Sequence, residues 1–204
     1  MAEHSVQLLV ASRNPKKLAE LRRILDNAQV AGITLVGLNE LASFDEAPET
    51  AATFEDNALS KARDGSAASG LACLADDSGL EVDALKGMPG VLSARWCGTH
   101  GDDAANTALL LAQLSDVPDE RRGAGFVSAS ALVVPGGPEV VVRGEWRGHI
   151  ARTPAGAGGF GYDPVFIPEG EQRSAAELSS QEKDAASHRA RALTKLLPAL
   201  RSLV

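Results

Sequence analysis

Two adjacent carboxylates give the strongest chemical signal in the sequence. Asp76 and Asp77 follow the short apolar run 71–74 and Ala75, and Ser78 and Gly79 come after them. Adjacent carboxylates leaving a buried strand are electrostatically costly unless a cation, a proton or hydrogen bonds offset them. A divalent metal site or a general base would explain the pair. A capped turn at a strand-to-loop junction is the alternative interpretation.

A basic segment near the N-terminus is a candidate anion site. Residues 12–17 read Ser-Arg-Asn-Pro-Lys-Lys and follow a predicted strand over 6–11. Asn14 suits a helix N-cap and Pro15 the first helical position. The positive end of the helix dipole could therefore hold a small anion near the three basic side chains, although the missing glycines exclude a Walker loop. A solvated, well-capped helix start is the alternative.

The glycine-rich segment 156–161 matches the pattern G-x-G-x-x-G of dinucleotide-binding folds. That fingerprint requires a strand before it and a helix after it, whereas 162–167 looks like a strand and Pro164 opposes a helix start. We therefore exclude a dinucleotide-binding fold. The rings of Phe160 and Tyr162 could stack on a base, and Asp163 could accept a hydrogen bond. A turn with core aromatics is the alternative.

The C-terminal region is predicted to be helical from Ser174 onward, with a capping box over 179–182. Lys183 and His188 would lie about 140° apart on one straight helix, so such a helix could not direct both at one small ligand. Either the helix begins late or bends, or one of the two is surface charge.

Composition limits the class of protein. The chain has 204 residues, 44% of them hydrophobic, and a formal net charge of −7. We expect one globular protein that does not bind a nucleic-acid backbone, because no basic block is visible. Residues 1–4 do not resemble a secretion signal, and no apolar run approaches the roughly 18 residues that span a bilayer, which predicts a cytoplasmic protein. Cys73 is predicted to be a small core residue, and neither it nor Cys97 is assigned a function.

The order of elements predicts the fold class. Strands are predicted over 6–11 and 33–38 and from Leu71, separated by helices that follow Asn14 and Thr53. An acidic, irregular segment lies over 41–52. A further helix begins at Asp102 or Asp103, and the alternating segments of 124–146 indicate a β-hairpin. This combination predicts an α/β fold with a mixed sheet, in two lobes that share the sheet and leave a cleft between them.

Five motifs in order resemble a known family. They are Ser-Arg-Asn-Pro-Lys-Lys at 12–17, Thr-Phe-Glu-Asp-Asn-Ala at 53–58, Ala-Asp-Asp-Ser-Gly-Leu at 75–80, Phe-Gly-Tyr-Asp-Pro at 160–164 and Ser-His-Arg at 187–189, and the segment 89–95 also fits. Nearly the whole chain resembles the inosine triphosphate pyrophosphatase family, also called dITP/XTP pyrophosphatases. The resemblance implies a single domain over 1–204 with an elongated two-lobed α/β fold, a long mixed β-sheet and a central substrate cleft. It also implies a homodimer.

The resemblance further implies an activity and roles for individual residues. The activity is magnesium-dependent hydrolysis of ITP, dITP and XTP to the monophosphate and pyrophosphate, which removes deaminated purines from the nucleotide pool. Asp77 would be the proton acceptor, and Ser78 would contact the substrate. The triphosphate would be held by Ser12, Arg13, Asn14, Pro15, Lys16 and Lys17. The base and phosphates would be surrounded by Phe160, Gly161, Tyr162, Asp163, Lys183, His188 and Arg189. Magnesium would be bound by Asp77, Asp76 and Glu49, with Glu46 as the next candidate in that loop.

Two features of the sequence leave alternatives open. The family usually has Thr-Gly-Asn where this chain has Ser12, Arg13 and Asn14, so a side chain replaces the glycine nearest the phosphates. A phosphohydrolase that releases the γ-phosphate, or a module that senses nucleotides without hydrolysing them, would also use basic and glycine-rich segments. The two adjacent carboxylates argue against the sensor, because carboxylates near phosphates repel them unless a metal lies between. A purine 6-carbonyl could be selected by a backbone N–H or by Arg189.

Overall fold

The computed structural model describes residues 5–12, 14–41 and 49–204. In this part of the chain, six strands form one sheet in the order β2-β1-β3-β4-β5-β6. Strand β1 pairs in parallel with β2 and β3, whereas β5 and β6 pair antiparallel, so the sheet is mixed. The predicted mixed α/β class is confirmed. The strands are β1 Val6–Val10, β2 Ile33–Gly37, β3 Ala72–Val82, β4 Gly123–Val133, β5 Glu139–Ile150 and β6 Phe166–Pro168.

Five α-helices are present among the described residues: α1 Pro15–Asn27, α2 Phe54–Ser69, α3 Asp103–Gln113, α4 Ser180–Ala186 and α5 His188–Arg201. The predicted starts of the first three are confirmed. The hydroxyl of Thr53 accepts the N–H of Asp56 at the start of α2, and the carboxylate of Asp102 accepts the N–H of Ala105 at the start of α3. These caps satisfy N–H groups that have no partner inside the helix. No helix of the described residues is both long and apolar enough to cross a bilayer.

The chain divides into two compact units. Unit 1 comprises Met1–Asp77, Ser128–Gly144 and Arg189–Val204, and unit 2 comprises Ser78–Val127 and Glu145–His188. The core of unit 1 is aliphatic and is built from strands β1, β3 and β4 and the apolar faces of α1 and α5. Leu25 of α1 lies in this core with the fully buried side chains of Leu8 and Leu196.

The core of unit 2 is aromatic. The ring of Phe166 packs edge-on against Phe126, with 4.6 Å between ring centroids, and against Trp146 at 5.6 Å. Beside this core, the buried guanidinium of Arg122 donates hydrogen bonds to the carbonyls of Leu114, Ile150 and Ala151 over 2.6, 2.7 and 2.9 Å. The Arg122 side chain thus satisfies three backbone acceptors of unit 2.

Strand β3 corrects one prediction. The sequence placed Asp76 and Asp77 where a strand ends, but β3 continues through both residues to Val82. Gly79 does not mark a turn here. A Cβ atom at this position would lie 2.6 Å from the carbonyl oxygen of Gly90, so glycine permits a close approach of two backbones. Because the strand continues, the side chains of Asp76 and Asp77 point to opposite faces of the sheet.

The C-terminal prediction is wrong for 174–179, which are not helical, and the one predicted helix is interrupted at Ser187. The capping box at Ser179 and Glu182 is present, so the first helix begins at Ser180 and not at Ser174. Helix α4 ends at Ala186, Ser187 is extended with ψ of 160°, and α5 begins at His188. Lys183 and His188 therefore belong to different helices. The exclusion of a dinucleotide-binding fold is also consistent with the structure, since the glycine-rich segment is followed by a single 3-10 turn over Asp163–Val165 and then by β6, and not by an α-helix.

Candidate functional site

A hydrogen-bonded cluster in unit 1 surrounds the carboxylate of Asp77. Helix α2 presents Asn57 and Lys61 one turn apart on the same face, toward β3. The side-chain amide of Asn57 donates to Asp77 Oδ2 over 3.0 Å, and the ammonium of Lys61 lies 3.3 Å from Asp77 Oδ1. The same ammonium donates to Glu49 Oε1 over 2.8 Å and to the carbonyl oxygen of Asp76 over 3.0 Å. Asp77 is 6% exposed, so these contacts fix it in one orientation.

The orientation of the Asn57 amide is set by a second contact. Its Oδ1 accepts the backbone N–H of Ala51 over 3.0 Å, which leaves the NH₂ group to donate to Asp77. The segment that carries Glu49 is thereby tied to α2. Glu49 and Asp77 come from separate parts of the chain, yet both contact one lysine.

The charge on Lys61 is held by its neighbours. Burial lowers the pKa of the Lys61 ammonium, but the carboxylates of Asp77, Asp76 and Glu49 outweigh that effect and bring its pKa above the ordinary value. Lys61 is therefore positively charged at neutral pH. It offsets the two carboxylates on which it converges.

Glu49 and Asp77 fit a magnesium site. Magnesium takes oxygen ligands and is commonly bound by one or two carboxylates, with water and substrate phosphates completing its octahedron. In the described part of the chain no group of three or more His, Cys, Asp and Glu residues could enclose a metal by itself. Two carboxylates that converge on one ammonium suit a cation shared with a phosphate ligand better than a closed structural metal site.

Asp76 has a different set of contacts. On the opposite face of β3, its Oδ2 lies 3.5 Å from Nε of Arg189, and Nη1 of the same guanidinium lies 2.9 Å from Oε2 of Glu20. Arg189 and Glu20 are both buried. The structure thus separates the two carboxylates that the sequence places side by side, and Asp77 rather than Asp76 shares its partner with Glu49.

A pocket in unit 1 opens on this second face. Its polar lining comprises Ser12, Asp76, Ser128, Ser130 and Arg189, and its apolar wall comprises Val10, Leu21, Leu74 and Leu193. The hydroxyl of Ser128 is fully buried and has no hydrogen-bond partner within the described residues. A buried hydroxyl of this kind favours a polar ligand or a water molecule in the pocket.

The N-terminal candidates are described in part. Ser12 lies at the pocket, and its hydroxyl accepts the backbone N–H of Asn14 over 3.3 Å just before Pro15 begins α1. Arg13 and Glu46 lie outside the described residues, as do the side chains of Lys16 and Lys17, although the backbone of both lysines belongs to the first turn of α1.

In unit 2 the structure brings together the glycine-rich loop and Lys183. The carboxylate of Asp163 accepts the N–H of Phe160 over 2.8 Å and the ammonium of Lys183 over 2.5 Å. The ammonium also lies 5.3 Å from the centroid of the Phe160 ring. Gly159 must be glycine here, because a Cβ atom would collide with the carboxylate of Asp163. Phe160 is half-buried and keeps part of its ring at the surface.

Tyr162 and His188 are buried. The Tyr162 side chain is 4% exposed within the aromatic core, its hydroxyl donates to the carbonyl of Ser93 over 2.9 Å, and burial raises its pKa. The interpretation as a core aromatic therefore describes Tyr162, whereas Phe160 keeps the open ring. The imidazole of His188 is 3% exposed and stacks on Phe126, with 5.0 Å between centroids. Ser78 follows Asp77 in β3 and is half-buried.

Sequence reasoning missed three of these side chains: Asn57, Lys61 and Ser128. The spacing of Asn57 and Lys61, four residues apart on a capped helix beside the predicted acidic strand, was a usable signal. Ser128 gave no signal, because serine in an alternating strand normally faces solvent.

The chain is similar to known proteins over nearly its whole length. The sequence model of the Ham1 family matches residues 8–199. The dITP/XTP pyrophosphatase of Nocardia farcinica is 73% identical over 197 residues, which cover 97% of this chain and 96% of that protein. The enzyme of the same name from Mycobacterium tuberculosis is 72% identical, with the same coverage of both chains.

Solved structures of similar proteins also align with nearly the whole chain. The crystal structure of a nucleoside-triphosphatase / dITP/XTP pyrophosphatase from Mycobacterium abscessus aligns with a TM-score of 0.79 at 68% identity. The alignment covers 95% of this chain and all of that one. A HAM1 protein from Coxiella burnetii aligns with a TM-score of 0.86 at 40% identity, covering 97% and 99% of the two chains.

Proposed function

Because this chain belongs to the Ham1 family, we propose that it is an enzyme that hydrolyses dITP, XTP and ITP to the nucleoside monophosphate and pyrophosphate. The proposal is supported by relatives that carry the name dITP/XTP pyrophosphatase and align over nearly the whole chain. Its role would be to remove deaminated purines from the nucleotide pool.

The cluster around Asp77 carries the proposal. Cleavage between the α and β phosphates requires a positioned water and a base that accepts its proton. Asp77 is the candidate base, because Asn57 holds one of its oxygens and Lys61 lies at the other. A carboxylate held in this way needs no rearrangement at the moment of reaction.

Magnesium is the proposed cofactor, held by Glu49 and Asp77. When bound, the ion would supply positive charge that neutralises the departing pyrophosphate. Asp76 remains a weaker candidate, since its carboxylate lies against Arg189 on the other face of β3. Ser12 and the basic side chains that follow it are the proposed triphosphate contacts.

Phe160 and Arg189 are the two side chains proposed to recognise the base. In unit 2 the half-buried ring of Phe160, fixed by Asp163 and Lys183, offers a surface on which a purine can stack. In unit 1 Arg189 is the candidate donor to a 6-carbonyl, which inosine and xanthosine possess and adenosine lacks. The homodimer and the cytoplasmic location stay predictions.

The deciding experiment is product analysis. The purified protein is incubated with dITP, XTP, ITP, GTP and ATP, with magnesium and with EDTA, and the products are separated by chromatography. We expect monophosphate and pyrophosphate from the first three nucleotides, with magnesium only. Diphosphate and orthophosphate would instead assign a phosphohydrolase that removes the γ-phosphate, and tight binding without products would assign a nucleotide sensor.

A further inference from the structure

The loop that carries Phe160 is held by two carboxylates from different parts of unit 2. Asp163 accepts the backbone N–H of Phe160 over 2.8 Å, and Asp103 Oδ2 accepts the backbone N–H of Gly161 over 2.7 Å. Gly161 has a φ of +62°, in the left-handed region that glycine tolerates best. Two consecutive amides of the loop therefore point to two separate carboxylates, and Phe160 lies between them.

Asp102 and Asp103, at the start of α3, accept hydrogen bonds from different parts of the chain. The carboxylate of Asp102 caps the helix by accepting the N–H of Ala105 over 3.0 Å. The carboxylate of Asp103, one residue later, reaches away from the helix to Gly161, which is 58 residues further along the chain. The neighbouring acid already caps α3, so the Asp103 contact adds a link between the helix and the loop.

Helix α3 is a firm anchor for this link. Leu110 and Leu114 are fully buried in the aromatic core of unit 2. Asn106 is 2% exposed, accepts the N–H of Cys97 over 2.7 Å and donates to the carbonyl of Ala94 over 3.3 Å. The loop, in contrast, is rich in glycine and exposed over 156–159. A loop of this composition keeps one conformation only if contacts outside it restrict the backbone.

We propose that Asp103 is a positioning residue for nucleotide binding. It does not contact the substrate. It holds the Gly161 amide and so fixes the ring of Phe160 for stacking on the purine, which rests on the function proposed above. Loss of this acceptor releases the Gly161 amide while Asp163 still holds the amide of Phe160, so the nucleotide must order this part of the loop on binding.

The test compares Asp103→Ala, Asp103→Asn and the control Asp102→Ala. All three remove one negative charge near the start of α3, but only the first removes the acceptor for Gly161. We expect Asp103→Ala to raise KM for XTP about tenfold, as the loss of one hydrogen bond to a charged group predicts, with kcat within about twofold. Asp103→Asn keeps an acceptor oxygen, so its KM should lie close to the wild-type value. Asp102→Ala should lower the Tm and leave KM unchanged.

Amide hydrogen exchange of 158–161 in the free protein is the second readout. Faster exchange in Asp103→Ala, but not in Asp102→Ala, supports the link. The proposal is overturned if Asp103→Ala leaves both KM and loop exchange unchanged, if Asp103→Asn is as impaired as Asp103→Ala, or if Asp102→Ala raises KM equally. If the wild-type protein released no pyrophosphate, the proposed function would fail, and the exchange comparison would still decide whether Asp103 holds the loop.

Discussion

Lys61 and Asp77 are joined by an ion pair of 3.3 Å between helix α2 and strand β3, and the same ammonium binds Glu49 at 2.8 Å. One lysine therefore orients the two carboxylates that are proposed to share a metal. The neighbouring carboxylates keep Lys61 positively charged. Its charge therefore balances the negative charges of the site, which a cation at the surface would not do.

Replacement of Lys61 should impair turnover. Lys61→Met removes the charge that offsets Asp77 and Glu49, and we expect kcat for XTP to fall at least about 100-fold. The matched control is Arg63→Met on the same helix, since Arg63 is 57% exposed and pairs with Glu139 at the surface. It should change kcat by less than about twofold. Equal losses in the two variants would contradict a specific role for Lys61.

Asp77→Asn should separate binding from hydrolysis. The variant keeps the shape of the side chain but removes the base, so we expect nucleotide affinity within a few-fold and a turnover loss of about 10²–10⁴-fold. Isothermal titration and product release measure the two quantities. Asp76→Asn is the paired variant. Its contacts with Arg189 predict a smaller loss of turnover and an unchanged magnesium concentration for half-maximal rate. Full activity of Asp77→Asn would remove Asp77 as the base.

Arg122 should contribute strongly to stability. Arg122→Met removes three buried hydrogen bonds, those to the carbonyls of Leu114, Ile150 and Ala151, which should lower the free energy of unfolding by about 3 kcal/mol. Arg121→Met is the control, because it removes the same charge from the exposed neighbour. It should change stability by less than about 0.5 kcal/mol. Urea unfolding curves measure both, and similar midpoints for the two variants would refute the assignment.

Cys73 should make stability depend on alkaline pH. Burial raises the pKa of its thiol from 9.0 to about 12. Above pH 9 the unfolded chain loses this proton while the folded chain keeps it. Stability should therefore fall with rising pH, by up to about 1.4 kcal/mol per pH unit from this group.

The measurement for Cys73 compares urea unfolding of wild type and Cys73→Ala at pH 8 and pH 10. The decrease between the two pH values should be smaller in the variant, since Cys97 and all other titrating groups are shared. Identical decreases would show that the Cys73 thiol does not contribute.

The sequence predicted the fold class because its elements have clear periodic patterns and caps. Thr53, Asp102 and Ser179 each cap the helix that follows, and each was readable as a local signal. The end of β3 was misjudged for a physical reason. Asp, Ser and Gly usually mark a turn, but here buried Leu80 and Val82 extend the strand beyond them.

The site was predictable only in its parts. Asp77 and Glu49 were found as candidate ligands, but their shared contact with Lys61 depends on how α2 packs on β3, which no local pattern specifies. The sequence pattern allowed Tyr162 either to stack on a base or to pack in the core. Its hydroxyl donates to the carbonyl of Ser93, a residue 69 positions earlier in the sequence. Long-range contacts of this kind decide the role of such a residue.

Because β3 is continuous, the positions of the Asp76 and Asp77 carboxylates depend on the number of residues that precede them in the strand. Since side chains alternate along a strand, inserting or deleting one residue between 72 and 75 would exchange the faces of Asp76 and Asp77. The lysine-facing carboxylate would then point toward Arg189, although no residue type had changed. An insertion of two residues would preserve the faces. Natural variation in this segment should therefore be confined to substitutions, while the loops elsewhere tolerate changes in length.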